Sequence, residues 1–279
     1  MDATNAFATG SGSWLSRLGN LRNVVRQEVV ARQLTAHLPM PSGASAIDVG
    51  SGQGTQAIRL AREGFEVTAV EPEPRMREAC AEALEDETPA VRARVDLRAG
   101  GIGDLADVAD PGGYQVVLCH GVLMYLDSPV VALTELAGLV AAGGTLSVLT
   151  RNAEALAWRP AARHDWRGAL ELLDEVDRAD REHRSPVYRN EIGVDARADW
   201  REGLEDLLRS SGLALEAWYG VRIASDNVPV EESFPQDPEQ ARALLDLEER
   251  FGRTDPYRRM GTLMHLVARR PWPSTTTLL

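Results

Sequence analysis

The chain contains no lysine; all 30 of its Lys-plus-Arg positions are arginine. So complete a bias reflects GC-rich coding more than selection for guanidinium chemistry, so a single arginine carries less functional information than usual. Cysteine and histidine are also scarce, with Cys80, Cys119 and 5 histidines. None shows metal-ligand spacing, so no metal site is expected, and both thiols are expected to stay reduced in a cytoplasmic protein. No apolar run approaches the length of a membrane span. Met1 to Ser13 lacks the basic segment and apolar core of a signal peptide. Acids outnumber bases, 42 to 30, for a net charge of −12. That argues against generic nucleic-acid binding, which needs basic surface to displace counterions, and leaves room only for a local basic patch.

At 279 residues with 44% hydrophobic side chains, the sequence is sized for one large domain carrying insertions. It is organised around Ala44 to Gly54. Ala46-Ile47-Asp48-Val49 reads as a short buried strand, Gly50, Gly52 and Gly54 alternate through a turn, and Thr55 to Arg62 opens a helix. Such a unit binds nucleotides: glycine lets the backbone approach a ligand, and the helix N-terminus offers free N–H groups. A tight turn between core elements would use the same residues. The next segment favours a cofactor. Glu66 to Val70 alternates like a strand and ends on Glu71, about twenty residues past the glycines, where an acid accepts from ribose hydroxyls.

The Gly-x-Gly-x-Gly spacing, with Asp48 two positions ahead, resembles motif I of the class I S-adenosylmethionine-dependent methyltransferases. The resemblance implies that Asp48 lies near the cofactor's ammonium group. It also implies that Gly50, Gly52 and Gly54 make room for the methionine and ribose moieties.

Residues 1–13 are expected to form a loose arm. From Trp14 to about Leu38 a broad apolar face (Leu21, Val24, Val25, Val29, Leu34) predicts a helix that Pro39 and Pro41 stop, a cap over residues 14–43. Arg22 near its start fits a solvated charge or a ligand contact. Pro74 to Leu84 is the next helix and Val95 to Leu97 a third strand. Gly100-Gly101-Ile102-Gly103 after it is either a plain turn or a cofactor loop. Gln115 to Cys119 is apolar enough for a central parallel strand buried on both faces. His120 stands at its carboxyl end, the edge where doubly wound sheets bind ligands, either as a contact or closing the strand by hydrogen bonding.

Pro129 to Val140 reads as a helix, Ala141 to Gly144 as a turn and Thr145 to Leu149 as the fifth strand. Asp199 to Ser211 is a helix; Leu213 to Val221 and Leu263 to Ala268 are late strands separated by an insertion over 224–259 with a helix at Pro238 to Phe251. The alternation predicts an α/β, Rossmann-like domain over 14–271: a mostly parallel seven-stranded sheet, an antiparallel last strand and helical insertions, with a tail at 272–279. The insertion 151–198 is too long for a routine loop and is placed as a substrate lid. In it Arg159, Arg163 and Arg167 recur every four residues, so a helix there would show one basic face, whether solvated or turned to a ligand.

Gly19-Asn20-Leu21-Arg22, Ile47 to Gly54, His120-Gly121-Val122-Leu123, Arg151-Asn152-Ala153, Gly220-Val221-Arg222, Leu247 to Phe251 and Pro256-Tyr257 occur in order. Together they resemble the bacterial tRNA 5-carboxymethoxyuridine methyltransferase family, over about residues 15 to 271. The resemblance implies cofactor contacts at Arg22, Gly50, Ser51, Glu71, Ile102, Gly103 and His120, and a wobble-uridine carboxylate of tRNA as methyl acceptor.

A carboxylate is already ionised at neutral pH and needs a cation to hold it rather than a base. Arg222, with Tyr188 or Asn152 assisting, is the expected holder, since arginine binds carboxylate bidentately. RNA contact would come from Arg17, Arg22 and Arg26 together with the Arg159/Arg163/Arg167 stripe. The competing enzyme is a small-molecule O-methyltransferase acting on a hydroxyl, with His120 as base. A non-catalytic protein that binds the cofactor structurally is the third reading.

Overall fold

The computed structural model describes residues 19–41, 43–190 and 192–273. The expected arm at 1–13, Arg17, the start of the cap before residue 19 and residues 274–279 of the tail lie outside the described residues.

The strands and helices from Ser45 to Arg151 wind a parallel sheet: β1 (Ser45–Val49), α2 (Thr55–Glu63), β2 (Glu66–Glu71), α3 (Pro74–Glu85), α4 (Pro89–Arg92), β3 (Val95–Ala99), α5 (Leu105–Val108), β4 (Tyr114–His120), α6 (Pro129–Leu139) and β5 (Val140–Arg151). Ahead of them stands α1 (Leu21–Thr35). After them come α7 (Trp158–Ala162), α8 (Trp166–Arg181), β6 (Val187–Arg189), β7 (Asp195–Arg197), α9 (Arg201–Ser210), β8 (Ala214–Val221), α10 (Pro238–Arg253) and β9 (Leu263–Arg269). The seven-stranded sheet has the order β3-β2-β1-β4-β5-β9-β8. Strands β1 to β5 run parallel, and β9 is antiparallel to both β5 and β8, as expected from the sequence. The order reverses between β1 and β4, which opens a crevice at their carboxyl ends.

Alternation along the strands divides the core in two. Ile47, Val49, Val117 and Cys119 face α6 through Leu133 and Leu136. Ala46, Val116 and Leu118 face α2 through Ala57 and Leu60. Covered on both sides, Val116 to Cys119 are completely buried, and a fully buried aliphatic side chain stabilises by about 1.5–3 kcal/mol.

The cap helix α1 begins at Leu21. Asn20 caps it, its side-chain oxygen accepting from the Asn23 N–H at 2.9 Å. One face packs Val25 and Val29 against Leu245 of α10, and Val30 faces Leu149 of the sheet. Its first turns thereby project over the crevice.

Two expectations need correction. The turn expected at Ala141 to Gly144 is a bulge inside β5: Tyr114 pairs with Val140, and Val116 next with Thr145. Gly143 adopts a φ of 72°, and a Cβ there would run into the Trp272 ring. The arginine stripe does not lie on one helix. His164, at φ 64°, breaks the chain between α7 and α8, and Asp165 caps α8 by accepting from the Gly168 N–H at 3.0 Å. Arg159 and Arg163 line the crevice, whereas Arg167, in the first turn of α8, does not.

Candidate cofactor and acceptor site

The turn between β1 and α2 is built from left-handed glycines: Gly50 at φ 74°, Gly52 at 58° and Gly54 at 81°. Only glycine holds that backbone without strain. A Cβ on Gly50 would collide with Val122 and one on Gly54 with the Cys80 sulfur, so packing also excludes side chains. Glu71 at the end of β2 braces the turn. Its two carboxylate oxygens accept from the Gly52 N–H at 2.8 Å and the Glu73 N–H at 2.9 Å. A carboxylate has about four lone-pair sites, so capacity remains for a ligand.

Arg22, Asp48, Gly50, Ser51, Gly52, Glu71, Ile102 and His120 all line one cavity of about 660 Å³, in the range of small-molecule sites. Gly103 does not. Its N–H turns away to donate to Glu135 at 2.9 Å, and Gly101 takes the place expected for it. Asp48 is only 3% exposed; burial, then the nearby Glu71, push its carboxyl up to about 7. Burial also raises Glu71. Two acids crowded out of water call for a cation between them. The Ser51 hydroxyl is buried with no hydrogen-bond partner among the described residues. A cationic ligand with hydroxyls and amines, as S-adenosylmethionine is, fits this donor and acceptor set.

The opposite wall is basic. Arg26, Arg151, Arg159 and Arg222 open on the same cavity. Arg222 follows β8 at φ 60° and pairs with Asp226, which is completely buried. Arg159 Nε approaches Asp226 at 3.7 Å and the Thr262 hydroxyl donates to it at 2.6 Å. Burial alone would raise Asp226, but Arg222, Arg151 and Arg159 hold it down to about 2. Burial, then Arg222, pull Arg26 down to about 10; burial and several neighbouring arginines pull Arg159 to about 9. Arg151, 8% exposed, lies over the Tyr188 ring, and its Nε has no hydrogen-bond partner among the described residues. Guanidinium groups thus line the cavity, with Arg151 turned to it without a hydrogen-bond partner at Nε among the described residues, which suits an anionic acceptor.

Asn152, expected beside Arg222, is a correction. Its amide donates to Arg259 O at 3.0 Å and Gly261 O at 2.9 Å, and its oxygen accepts from the Glu154 N–H at 3.1 Å. It pins the turn before β9 and is absent from the cavity wall. Three residues of this wall receive no cofactor or carboxylate role from the sequence, which assigns Arg26 to RNA contact. Arg151, next to Asn152 at the carboxyl end of β5, stands where ligands bind. Arg26 lies one helical turn past Arg22. Asp226 carries no signal beyond its spacing from Arg222.

Residues 47–148 match a family described as a methyltransferase domain. A ubiquinone biosynthesis O-methyltransferase of Xanthomonas campestris pv. campestris (strain B100) is 34% identical over 131 residues, which are 47% of this chain and 50% of that protein. The chain thus spans about half the length of that relative. The tRNA 5-carboxymethoxyuridine methyltransferase of Escherichia coli (strain K12) is 25% identical over 258 residues, 91% of each protein. A solved S-adenosylmethionine dependent methyltransferase of Mesorhizobium loti superposes with a TM-score of 0.54 at 16% identity, covering 87% of this chain and 98% of that one. Residues 47–148 thus form a methyltransferase domain, and the sheet carrying them has the fold of the solved S-adenosylmethionine-dependent methyltransferases, with a glycine turn and acids that fit that cofactor.

Proposed function

We propose that the chain methylates a carboxylate, that of 5-carboxymethoxyuridine at the wobble position of tRNA. The observation that carries this reading is that buried guanidinium groups, Arg151 and Arg222 foremost, line the same cavity as the cofactor turn. The Escherichia coli relative, similar along nearly its whole length, supports the same acceptor.

S-adenosylmethionine, when bound, supplies a methyl group made electrophilic by its sulfonium. Asp48 would hold the cationic end of the cofactor and Glu71 accept from its ribose hydroxyls, with a hydrogen bond from Ser51 and an apolar surface at Ile102. Arg222, held in place by Asp226, and Arg151, held under Tyr188, grip the acceptor carboxylate from two sides. Aligning the two reactants is worth several orders of magnitude in rate, and an ionised carboxylate needs no proton removed.

That last point separates the readings. Methylation of a hydroxyl needs a base, and the group placed for it is unsuited: burial and Arg26 pull His120 down to about 3. Tyr125 and Tyr188 are both pushed upward by burial and stay phenolic. The Xanthomonas relative argues for a hydroxyl acceptor only weakly, because the similarity covers 47% of this chain, a segment of the size of the cofactor-binding domain.

The test is a transfer assay with methyl-labelled S-adenosylmethionine. One arm contains bulk tRNA from cells lacking the endogenous wobble-uridine methylase; the other contains a small-metabolite extract. Label in tRNA that mild alkali releases as methanol is the expected result. Label confined to small molecules overturns the tRNA acceptor.

A further inference from the structure

His120 is wired across the sheet to the cap helix. Its Nε2 lies 2.8 Å from the Ser147 hydroxyl oxygen on β5. The same oxygen lies 2.8 Å from His265 Nε2 on β9. His265 Nδ1 in turn lies 2.8 Å from Gln33 Oε1 on α1, and the Gln33 amide donates to Gly220 O at 3.3 Å. Register explains how these side chains meet: Leu149 pairs with His120 on one side and His265 on the other, and Ser147, two residues before it, shares the same face. Ser147 and His265 are completely buried and Gln33 is 4% exposed.

Each hydrogen along this chain has one consistent place. Gly220 O can only accept, so the Gln33 NH2 group faces it and Gln33 Oε1 faces His265. His265 Nδ1 therefore carries a hydrogen. Burial, with His120 and His37 nearby, holds the His265 ring well below its usual range, so it is neutral and its Nε2 is a lone pair. The single Ser147 hydrogen is donated to that lone pair. The Ser147 oxygen must then accept from His120, which places the one imidazole hydrogen of neutral His120 on Nε2. His120 Nδ1 is left bare, without a protein partner among the described residues, in the wall of the cofactor cavity.

We propose that Ser147, His265 and Gln33 are positioning residues that lock His120 in its Nε2–H tautomer, so that Nδ1 meets the bound cofactor as a hydrogen-bond acceptor. The group it receives is an N–H or O–H of the cofactor. Without the lock, part of the population would turn an N–H into the cavity in place of the lone pair. The device is independent of which acceptor is methylated.

The experiment is two-bond nitrogen–proton correlation spectroscopy on the full chain labelled with 15N-histidine, His120 being assigned by its loss in His120→Asn. His120 is expected to show a protonated Nε2 and a bare Nδ1, unchanged between about pH 5 and 8. A hydrogen on Nδ1, a tautomer mixture, or titration in that window overturns the proposal in the unmutated protein. Gln33→Met, three groups away, is expected to release the lock and populate both tautomers at His120. Ser147→Ala does the same, Ser147→Thr restores the single form, and affinity for S-adenosylhomocysteine follows, falling about two- to tenfold when the lock is lost. Folded Gln33→Met or Ser147→Ala protein that keeps one His120 tautomer also overturns it.

Discussion

The Arg151 guanidinium lies over the Tyr188 ring, its Cζ 5.0 Å from the ring centroid, while Arg222 beyond it is bound to Asp226. One cation is held by a π face and leaves its N–H groups for a ligand; the other is braced by a full negative charge. The two are suited to different tasks. Arg151→Met, which keeps the stem and removes the charge, should lower kcat/KM for a carboxylate acceptor about 10- to 100-fold, the worth of a charged hydrogen bond. Affinity for S-adenosylhomocysteine should change less than about twofold by comparison. A loss of cofactor affinity with acceptor KM unchanged would place Arg151 in the other half of the cavity.

Arg222→Lys keeps a charge but loses the planar fork that a carboxylate matches. Catalytic efficiency should fall, and unchanged efficiency removes Arg222 from the acceptor site.

Asp226→Asn should unfold at lower denaturant. Breaking a buried pair by removing one partner costs about 3–5 kcal/mol, because the carboxylate that Arg222 and Arg159 share becomes a neutral amide. Asp226 has its carboxyl depressed from 3.8 to about 2, so its contribution is present above the unfolded value and is lost as pH falls through the folded one. The acid limb of a stability-versus-pH curve should be shallower in Asp226→Asn than in the parent chain.

Cofactor affinity should depend on pH through Asp48. Burial and Glu71 push its carboxyl up to about 7, and a cationic ligand favours the ionised form. Binding therefore releases a proton at lower pH, and affinity rises with pH through about 7 before levelling. For folding alone the sign is opposite: a raised carboxyl contributes stability at low pH that is lost as pH climbs from 3.8 towards that value. Calorimetric titration with S-adenosylhomocysteine in buffers of different ionisation enthalpy measures the released proton. A flat profile, or one unchanged in Asp48→Asn, counts against Asp48 as the titrating group.

Two glycines of the expected cofactor set should respond differently to alanine. Gly50→Ala forces a methyl into Val122 at a positive φ and should abolish cofactor binding. Gly103 also has a positive φ, 99°, but nothing lies within 4 Å of an added Cβ. Gly103→Ala should cost about 1–2 kcal/mol of stability and leave S-adenosylhomocysteine affinity nearly intact. Equal losses in both variants would return Gly103 to the binding surface.

Periodicity made the doubly wound half of the fold legible. Val116 to Cys119 are apolar without interruption because both faces of β4 are covered, and Asp48 and Glu71 stand where strand ends must stand. The basic wall was harder to read. With arginine as the sole cation, nothing in the sequence distinguishes Arg151, buried under an aromatic ring, from the solvated arginines of α8. Asn152 attracted attention through its place in a motif, whereas its role is local, satisfying the carbonyls of a turn more than a hundred residues away. The break at His164 was invisible because the spacing of Arg159, Arg163 and Arg167 suits a helix. What stops it is a single left-handed residue and the Asp165 cap. The Ser147–His265–Gln33 chain depends on register between three strands and a helix, which no local pattern encodes.

The cap helix is tied down by parts of the chain far from it in sequence. The Asn20 amide donates to Val230 O, 210 positions onward, the Leu21 N–H to Glu232 O, and Gln33 reaches His265 at a separation of 232. The glycine turn and its strands are joined by segments near in sequence, while the roof and the basic wall need segments far downstream. Closing loops this long is slow. The cofactor turn is therefore a product of near contacts and the acceptor pocket a product of far ones, so the reaction chamber is complete only when segments more than two hundred residues apart have met.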